Sequence, residues 1–262
     1  VLQHFSEDFE AGRTVAQREM MIVLQDWRLS VFTPPVFMAM FLAAASVILG
    51  PKDSSAVLAN VATGLCAIAA ARWAFVYPAL GLLTSRLSRS HLDERMCPAP
   101  TLVILAGRIV AGVGAGMMAF ALSAVSALLL VPSLAADFDA WLHLFLQLPF
   151  LILPFAACGV LAGQAVRTHD GFTSVDALGF FPAILLSGAL FPLESLGVPQ
   201  SSEVIFLVNP MTIMVEQIRH NLLNPVIIQD AALLVWGAPF LLMITLSAVG
   251  LCHMLQRRDP MT

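Results

Sequence analysis

The sequence predicts an all-α integral membrane protein with six transmembrane helices and an N-terminal amphipathic helix at the interface, on three observations. Of 262 residues, 59% are apolar and only 11% charged, against about 45–50% apolar and about 25% charged in a soluble domain. Mean hydropathy is +0.86. At about 20 apolar residues per span, the roughly 155 apolar residues supply six spans and leave some for an interfacial segment. The basic residues, finally, gather in alternate loops, as they do in multi-span proteins.

Residues 1–32 read as an amphipathic helix at the cytoplasmic headgroup level. Val15, Met20, Ile22, Val23, Trp27 and Val31 recur at mostly three- and four-residue steps, with Arg13, Gln17, Arg18, Gln25 and Arg28 on a more polar side. A soluble cap helix packed on a partner has the same pattern and stays open. The only apolar run here, residues 20–24, is shorter than a signal-peptide h-region.

The transmembrane domain is placed at 33–256. Thr33-Pro34-Pro35 breaks a helix or starts one, and a short first span covers about 34–50. A turn at 50–55 leads to the second span, about 56–83, which is apolar except for Arg72 and small polar residues. Loop 84–100 carries Arg86, Arg89, His91, Asp93, Glu94 and Arg95 ahead of Pro98 and Pro100. The third span, about 101–131, is entered through Arg108, which is expected to snorkel to the interface. The fourth, about 141–166, is interrupted by Pro149 and Pro154; the fifth, about 172–193, holds Asp176 near one end and Pro182 in its middle. A polar stretch, 194–225, precedes the last span, about 231–255. With the N-terminus cytoplasmic, one side holds Arg13, Arg18, Arg28, Arg86, Arg89, Arg95, Arg167, Arg257 and Arg258, the other only Lys52 and Arg219. That asymmetry requires an even number of spans with both termini cytoplasmic.

Several chemistries are excluded. The single lysine, Lys52, lies in Gly50-Pro51-Lys52-Asp53, so no GxxxxGK[ST] phosphate loop exists in the sequence and any nucleotide hydrolysis belongs to another polypeptide. Cys66, Cys97, Cys158 and Cys252 are dispersed, with no CxxC pair or clustered histidines, so no metal site is expected and the cysteines read as filler. A net charge of −4 gives no reason to invoke nucleic acid. Neither GxSxG nor HExxH occurs, and no channel filter or convincing internal repeat is visible.

Two intramembrane polar residues stand out. A charge at a span centre costs about 2.5–3.5 kcal/mol on insertion scales, so Arg72 must face protein or water. Asp176 is the obvious partner, yet it sits near the end of its span. A polar cavity beside a tilted helix, a shifted helix boundary and a direct pair all stay open. Gly112-x-x-x-Gly116 makes a small-residue face, read as an internal helix contact ahead of a dimer seam.

The segment Leu186-Ser187-Gly188-Ala189-Leu190-Phe191-Pro192-Leu193-Glu194-Ser195-Leu196, then Val208-Asn209-Pro210-Met211-Thr212 and Glu216-Gln217-Ile218-Arg219, resembles the membrane subunits of type-2 ABC exporters (the ABC-2 type permeases). That family includes the nodulation-factor export and daunorubicin-resistance permeases. Its pattern is similar to SG-x-x-FP-x-x-x-LP, then NP-[LM]-T and a downstream [ED]-x-x-R; Leu196-Gly197-Val198-Pro199 carries a small insertion at the leucine-proline step. The resemblance implies a permease, not an enzyme, that exports an amphiphilic or hydrophobic substrate from a prokaryote through the plasma (inner) membrane. It implies a homodimer, or a pairing with a second permease, over two separate ABC ATPase subunits that hold the ATP and Mg. Residues 1–32 then form the elbow helix. Loop 84–100 holds the coupling helix, with Arg89, Asp93, Glu94 and Arg95 as polar contacts. Residues 194–225 form an extracellular re-entrant helical hairpin shaping the outer gate, with Phe191, Pro192, Asn209, Pro210, Glu216 and Arg219 as its marker residues. Glu216 and Arg219, one turn apart, are able to pair. A six-span membrane scaffold or assembly factor without transport is the alternative.

Overall fold

The computed structural model describes residues 2–25, 27–49, 54–87, 100–135, 138–190, 209–223 and 242–252. The described residues contain helices and no strands. In chain order they are α1 (Leu2–Gln25), α2 (Trp27–Leu49), α3 (Ser54–Leu87), α4 (Thr101–Leu130), a 3-10 turn (Pro132–Ala135) and α5 (Phe138–Ala165). There follow α6 (His169–Val175), a π-helical turn (Asp176–Phe180), α7 (Phe181–Leu185) and α8 (Pro210–Leu223), and last α9 (Leu242–Cys252).

Three of these are long and apolar enough to cross a membrane: Ala56–Leu87 within α3, α4 and α5. At 34 residues α3 is about 51 Å long at 1.5 Å per residue. It exceeds the hydrocarbon core of about 30 Å, so it tilts or projects beyond it. Residues 31–47 of α2 and the described part of α9 are apolar but shorter.

α3 is the axis of the bundle, packed against α4, α5, α2, α1 and α8. The reason is its small inner surface: Ala62, Ala67, Ala70, Ala71, Ala74 and Ala79 are fully buried. Its neighbours offer glycines in return. Gly112 and Gly116 of α4 lie on Ala74, Pro78 and Ala70 of α3 and on Ala156 and Ile152 of α5, so this small-residue face is spent inside the chain. A second one, Gly159-x-x-x-Gly163 on α5, meets the α3 backbone at Phe75 and Ala79 with no room for a Cβ. Such close backbone approach is how helices associate where the solvent is itself apolar. The outward face of α5 carries an exposed stripe of Phe138, Leu142, Phe145, Leu146 and Phe150, suited to lipid.

The structure departs from the sequence reading at the prolines. α2 begins at Trp27, inside the segment assigned to the interfacial helix, and runs through Pro34 and Pro35; α5 runs through Pro149 and Pro154. Proline costs a helix one hydrogen bond, but unwinding in an apolar medium would leave several backbone groups unpaired, so the helix persists. Conversely, the expected fifth span is broken. Its π-helical turn ends just before Pro182, and its helix stops at Leu185, short of Leu193.

Candidate functional site

The two motif halves that are 20 or more residues apart in sequence meet at one end of the bundle. After α7 the chain turns sharply: Ser187 Oγ donates to the Ile184 carbonyl (2.6 Å) and accepts from Ala189 N (3.2 Å). Gly188 sits at φ 69°, the left-handed region that favours glycine. The turn presses on α3 at Gly64, where any Cβ would overlap the Ala189 carbonyl. Arg219 of α8 reaches into this turn. Its Nη2 donates to the carbonyls of Gly188 (2.9 Å), Ala189 (3.2 Å) and Asn60 (3.3 Å). Its Nη1 pairs with Glu216 Oε1 at 3.0 Å, and the Arg219 side chain is only 2% exposed. The planar fork of an arginine suits several acceptors at once, which a lysine cannot match.

The NP-M-T segment closes the joint from the other side. Asn209 Oδ1 accepts from Met211 N at 3.0 Å, an N-cap for α8, and Pro210 occupies the first helical position, where a missing N–H costs nothing. Asn209 Nδ2 donates to the Ala183 carbonyl of α7 at 2.6 Å. Beside the joint, Gln147 Oε1 of α5 accepts from Gln217 Nε2 (3.1 Å) and Asn221 Nδ2 (3.2 Å) on the exposed side of α8.

α1 packs on the bundle, mainly against α4. Glu19 and Arg108 form an ion pair, Nε to Oε1, at 3.3 Å, with side chains 7% and 3% exposed; Arg18 approaches the same oxygen at 3.4 Å. Arg108 is therefore a buried partner of α1, which corrects the expectation that it snorkels. Three glycines admit the helix: Gly107 and Gly114 of α4 face Gly12 with Val15 and Met20, and Gly81 of α3 faces the Glu19 carboxylate. Arg13, Gln17 and Arg18 stay exposed, as the amphipathic pattern requires.

Arg72 and Asp176 are brought together directly, Nη2 to Oδ2 at 2.8 Å. The expected mismatch of depth vanishes because α3 outruns its neighbour. The last turn of α5 is tied at its Gln164 carbonyl to Arg86 Nη1 (2.7 Å), while Gly163 lies at Ala79. α6 then climbs back along α3, with Phe172 and Phe180 stacked on Phe75 at 6.0 and 5.3 Å. Asp176 lies between those two rings in sequence and lands beside Arg72.

Arg89, Asp93, Glu94 and Arg95, like Phe191 and Pro192, lie outside the described residues. Asn209, Pro210, Glu216 and Arg219 share one joint, as above. Sequence reasoning missed Asn60 and Gly64, which complete that joint, and Glu19. An acid on the Val15–Met20 side of α1 was the signal for Glu19. Among the described residues no group of three or more His, Cys, Asp or Glu side chains is placed to hold a metal.

Comparison with known proteins follows this geometry. The chain is 21% identical over 218 residues, 82% of its own length and 83% of the relative's, to the inner membrane transport permease YadH of Escherichia coli K12. The same values hold for the YadH permease of Shigella flexneri. No solved structure matches significantly. The profile of the ABC-2 type transporter family matches residues 10–223, a range that takes in most of α1, the Glu19–Arg108 pair and the whole motif joint, and the chain belongs to that family.

Proposed function

We propose that the chain is the transmembrane permease subunit of an ATP-binding-cassette exporter, moving an amphiphilic or hydrophobic substrate out across a prokaryotic inner membrane. ATP and Mg are handled by a separate ATPase subunit, since this sequence carries no phosphate loop. The observation that carries the reading is the joint of Ser187–Ala189, Asn209 and Arg219. It ties α8 back onto the broken helix α6–α7 and onto α3, the arrangement a re-entrant hairpin over residues 194–225 needs at its base. Non-helical backbone at membrane depth is tolerated only where protein buries it or water lines it.

In this reading the chain has six spans with both termini cytoplasmic, pairs with a second permease, and sits over two ATPase subunits. Loop 84–100 docks on the ATPase through Arg89, Asp93, Glu94 and Arg95. The docked α1 moves with α3 and α4, the two helices that flank this loop. The hairpin, with Phe191 and Pro192 leading into it, gates the outer side. The chain supplies no covalent chemistry. ATP-driven closure of the ATPase pair shifts the permeases between inward and outward states, and substrate follows through its difference in affinity between them.

Reversing the charges in the coupling loop, Glu94→Arg with Arg95→Glu, tests this. ATP-driven uptake into inside-out vesicles, which is export in their inverted orientation, should fall at least tenfold while membrane insertion and protein level stay normal. Unchanged export in that variant removes the coupling role from the loop.

A further inference from the structure

α3 is buried on nearly every side, and Arg72 is the one exposed residue between Val57 and Leu83. Its side chain is 49% exposed while that of Asp176 is 18%. Arg72 opens a stripe that continues through the half-buried Trp73, Val76, Tyr77 and Leu80, with Trp73 and Tyr77 stacked at 4.7 Å. The stripe runs from Arg72 toward the level of Gly81, where the Glu19 carboxylate of α1 packs. Nine residues from Gly81 to Arg72 at 1.5 Å each place the arginine about 14 Å deeper. That is beyond what snorkelling spans, so a polar group has to meet the guanidinium at that depth.

Asp176 meets only part of the need. It accepts from Nη2 alone, and its other oxygen, Oδ1, is buried without a partner. The remaining N–H donors of Arg72 have no partner among the described residues, out of the five a guanidinium carries. A second copy of the chain offers few described acids to supply them: Glu10 is exposed in the first half of α1, nine residues before the Glu19 that packs at Gly81. Glu216 is engaged by Arg219 and Glu19 by Arg108, and Asp139 and Asp170 stand in the first turns of α5 and α6. A compact group with several acceptor oxygens is what the fork fits, and the aromatic stripe beside it suits a hydrocarbon tail. Asp176 is itself delivered by a π-helical turn, a distortion frequent at functional sites.

We infer that Arg72, set against Asp176 and flanked by Trp73 and Tyr77, is a binding site for the anionic headgroup, phosphate-like or carboxylate-like, of a single amphiphile. The inference rests on the permease reading and narrows its substrate class from amphiphiles in general to those with an anionic oxygen-rich head. Asp176 weakens the site in the resting pair, so the anion competes with a carboxylate for the guanidinium.

Native mass spectrometry of the detergent-purified chain tests this, with phosphatidic acid, diacylglycerol of the same acyl chains, and inorganic phosphate as probes. Phosphatidic acid should bind at least tenfold more tightly than diacylglycerol. Arg72→Gln should erase that preference, Arg72→Lys should keep part of it, and Asp176→Asn should strengthen it severalfold. The last variant separates a binding role from a structural one, because loss of a purely structural pair would weaken binding in both directions. Equal binding of the two lipids, or an undiminished preference in Arg72→Gln, overturns the site. So does displacement of phosphatidic acid by millimolar phosphate, which would mark a small-anion site, or an Arg72→Cys variant that cross-links to a second copy regardless of lipid. No ATPase is needed for this measurement. Retained selectivity in a chain that engages no ATPase would sink the permease reading alone, and lost selectivity in a coupled chain would sink this site alone.

Discussion

Glu19 and Arg108 are 89 residues apart in sequence, and both are almost wholly withdrawn from solvent. A buried pair adds little net stability, but removing one partner strands the other charge, at a cost of about 3–5 kcal/mol. Glu19→Gln should therefore lower the unfolding temperature of the purified protein sharply, and Glu19→Leu with Arg108→Met should recover most of the loss. A change within about 0.5 kcal/mol for the single variant, the range of ordinary surface substitutions, would show that the pair does not hold α1. By contrast, Glu216 and Arg219 were legible beforehand, because three residues is one helical turn and needs no knowledge of the fold. Glu19 with Arg108, or Arg219 with the Gly188 carbonyl, needed the tertiary path of the chain. Nothing local in either residue announces a partner on another helix.

At the scale of elements, the long helices were legible because lipid makes one demand, an unbroken apolar run of about 20 residues. Their ends and interruptions were not. Prolines 34, 35, 149 and 154 looked like breaks and lie within helices, since an apolar medium penalises unwinding more than a lost hydrogen bond. The true break, at Asp176–Phe180 and again after Leu185, depends on Phe75 stacking and on the turn seated at Gly64, contacts no window of sequence contains. The glycines separate clearly by environment. Gly159 and Gly163 abut the α3 backbone, while Gly250 of α9 has open space around its Cα. Gly159→Leu should abolish the folded, monodisperse protein in size-exclusion chromatography. Gly250→Ala should leave it intact or raise stability by about 0.5–1 kcal/mol, the ordinary helical gain over glycine. Equal tolerance at the two positions would mean that α3 and α5 are not in backbone contact.

For the whole molecule, charge is scarce and each described intramembrane ion has a task. Glu19 with Arg108 fixes α1, Glu216 with Arg219 fixes the base of α8, and Arg72 with Asp176 is the pair left open to the outside. The sequence made the family legible through two short motifs, and the structure explains their spelling. Serine and glycine make the turn, asparagine and proline start α8, and arginine locks one to the other. Membership of the ABC-2 family is what points to an ATPase partner, and the sequence contains no GxxxxGK[ST] motif. ATP hydrolysis measured on the chain purified from its native membrane is the most direct test of its standing as the membrane half of an ATP-driven transporter. Vanadate-sensitive hydrolysis should reside in a co-purified subunit present in fixed ratio, stop when that subunit is stripped away, and return with substrate movement when the two are recombined in lipid. Hydrolysis by the stripped chain, or undiminished transport with no ATPase subunit present, would contradict it.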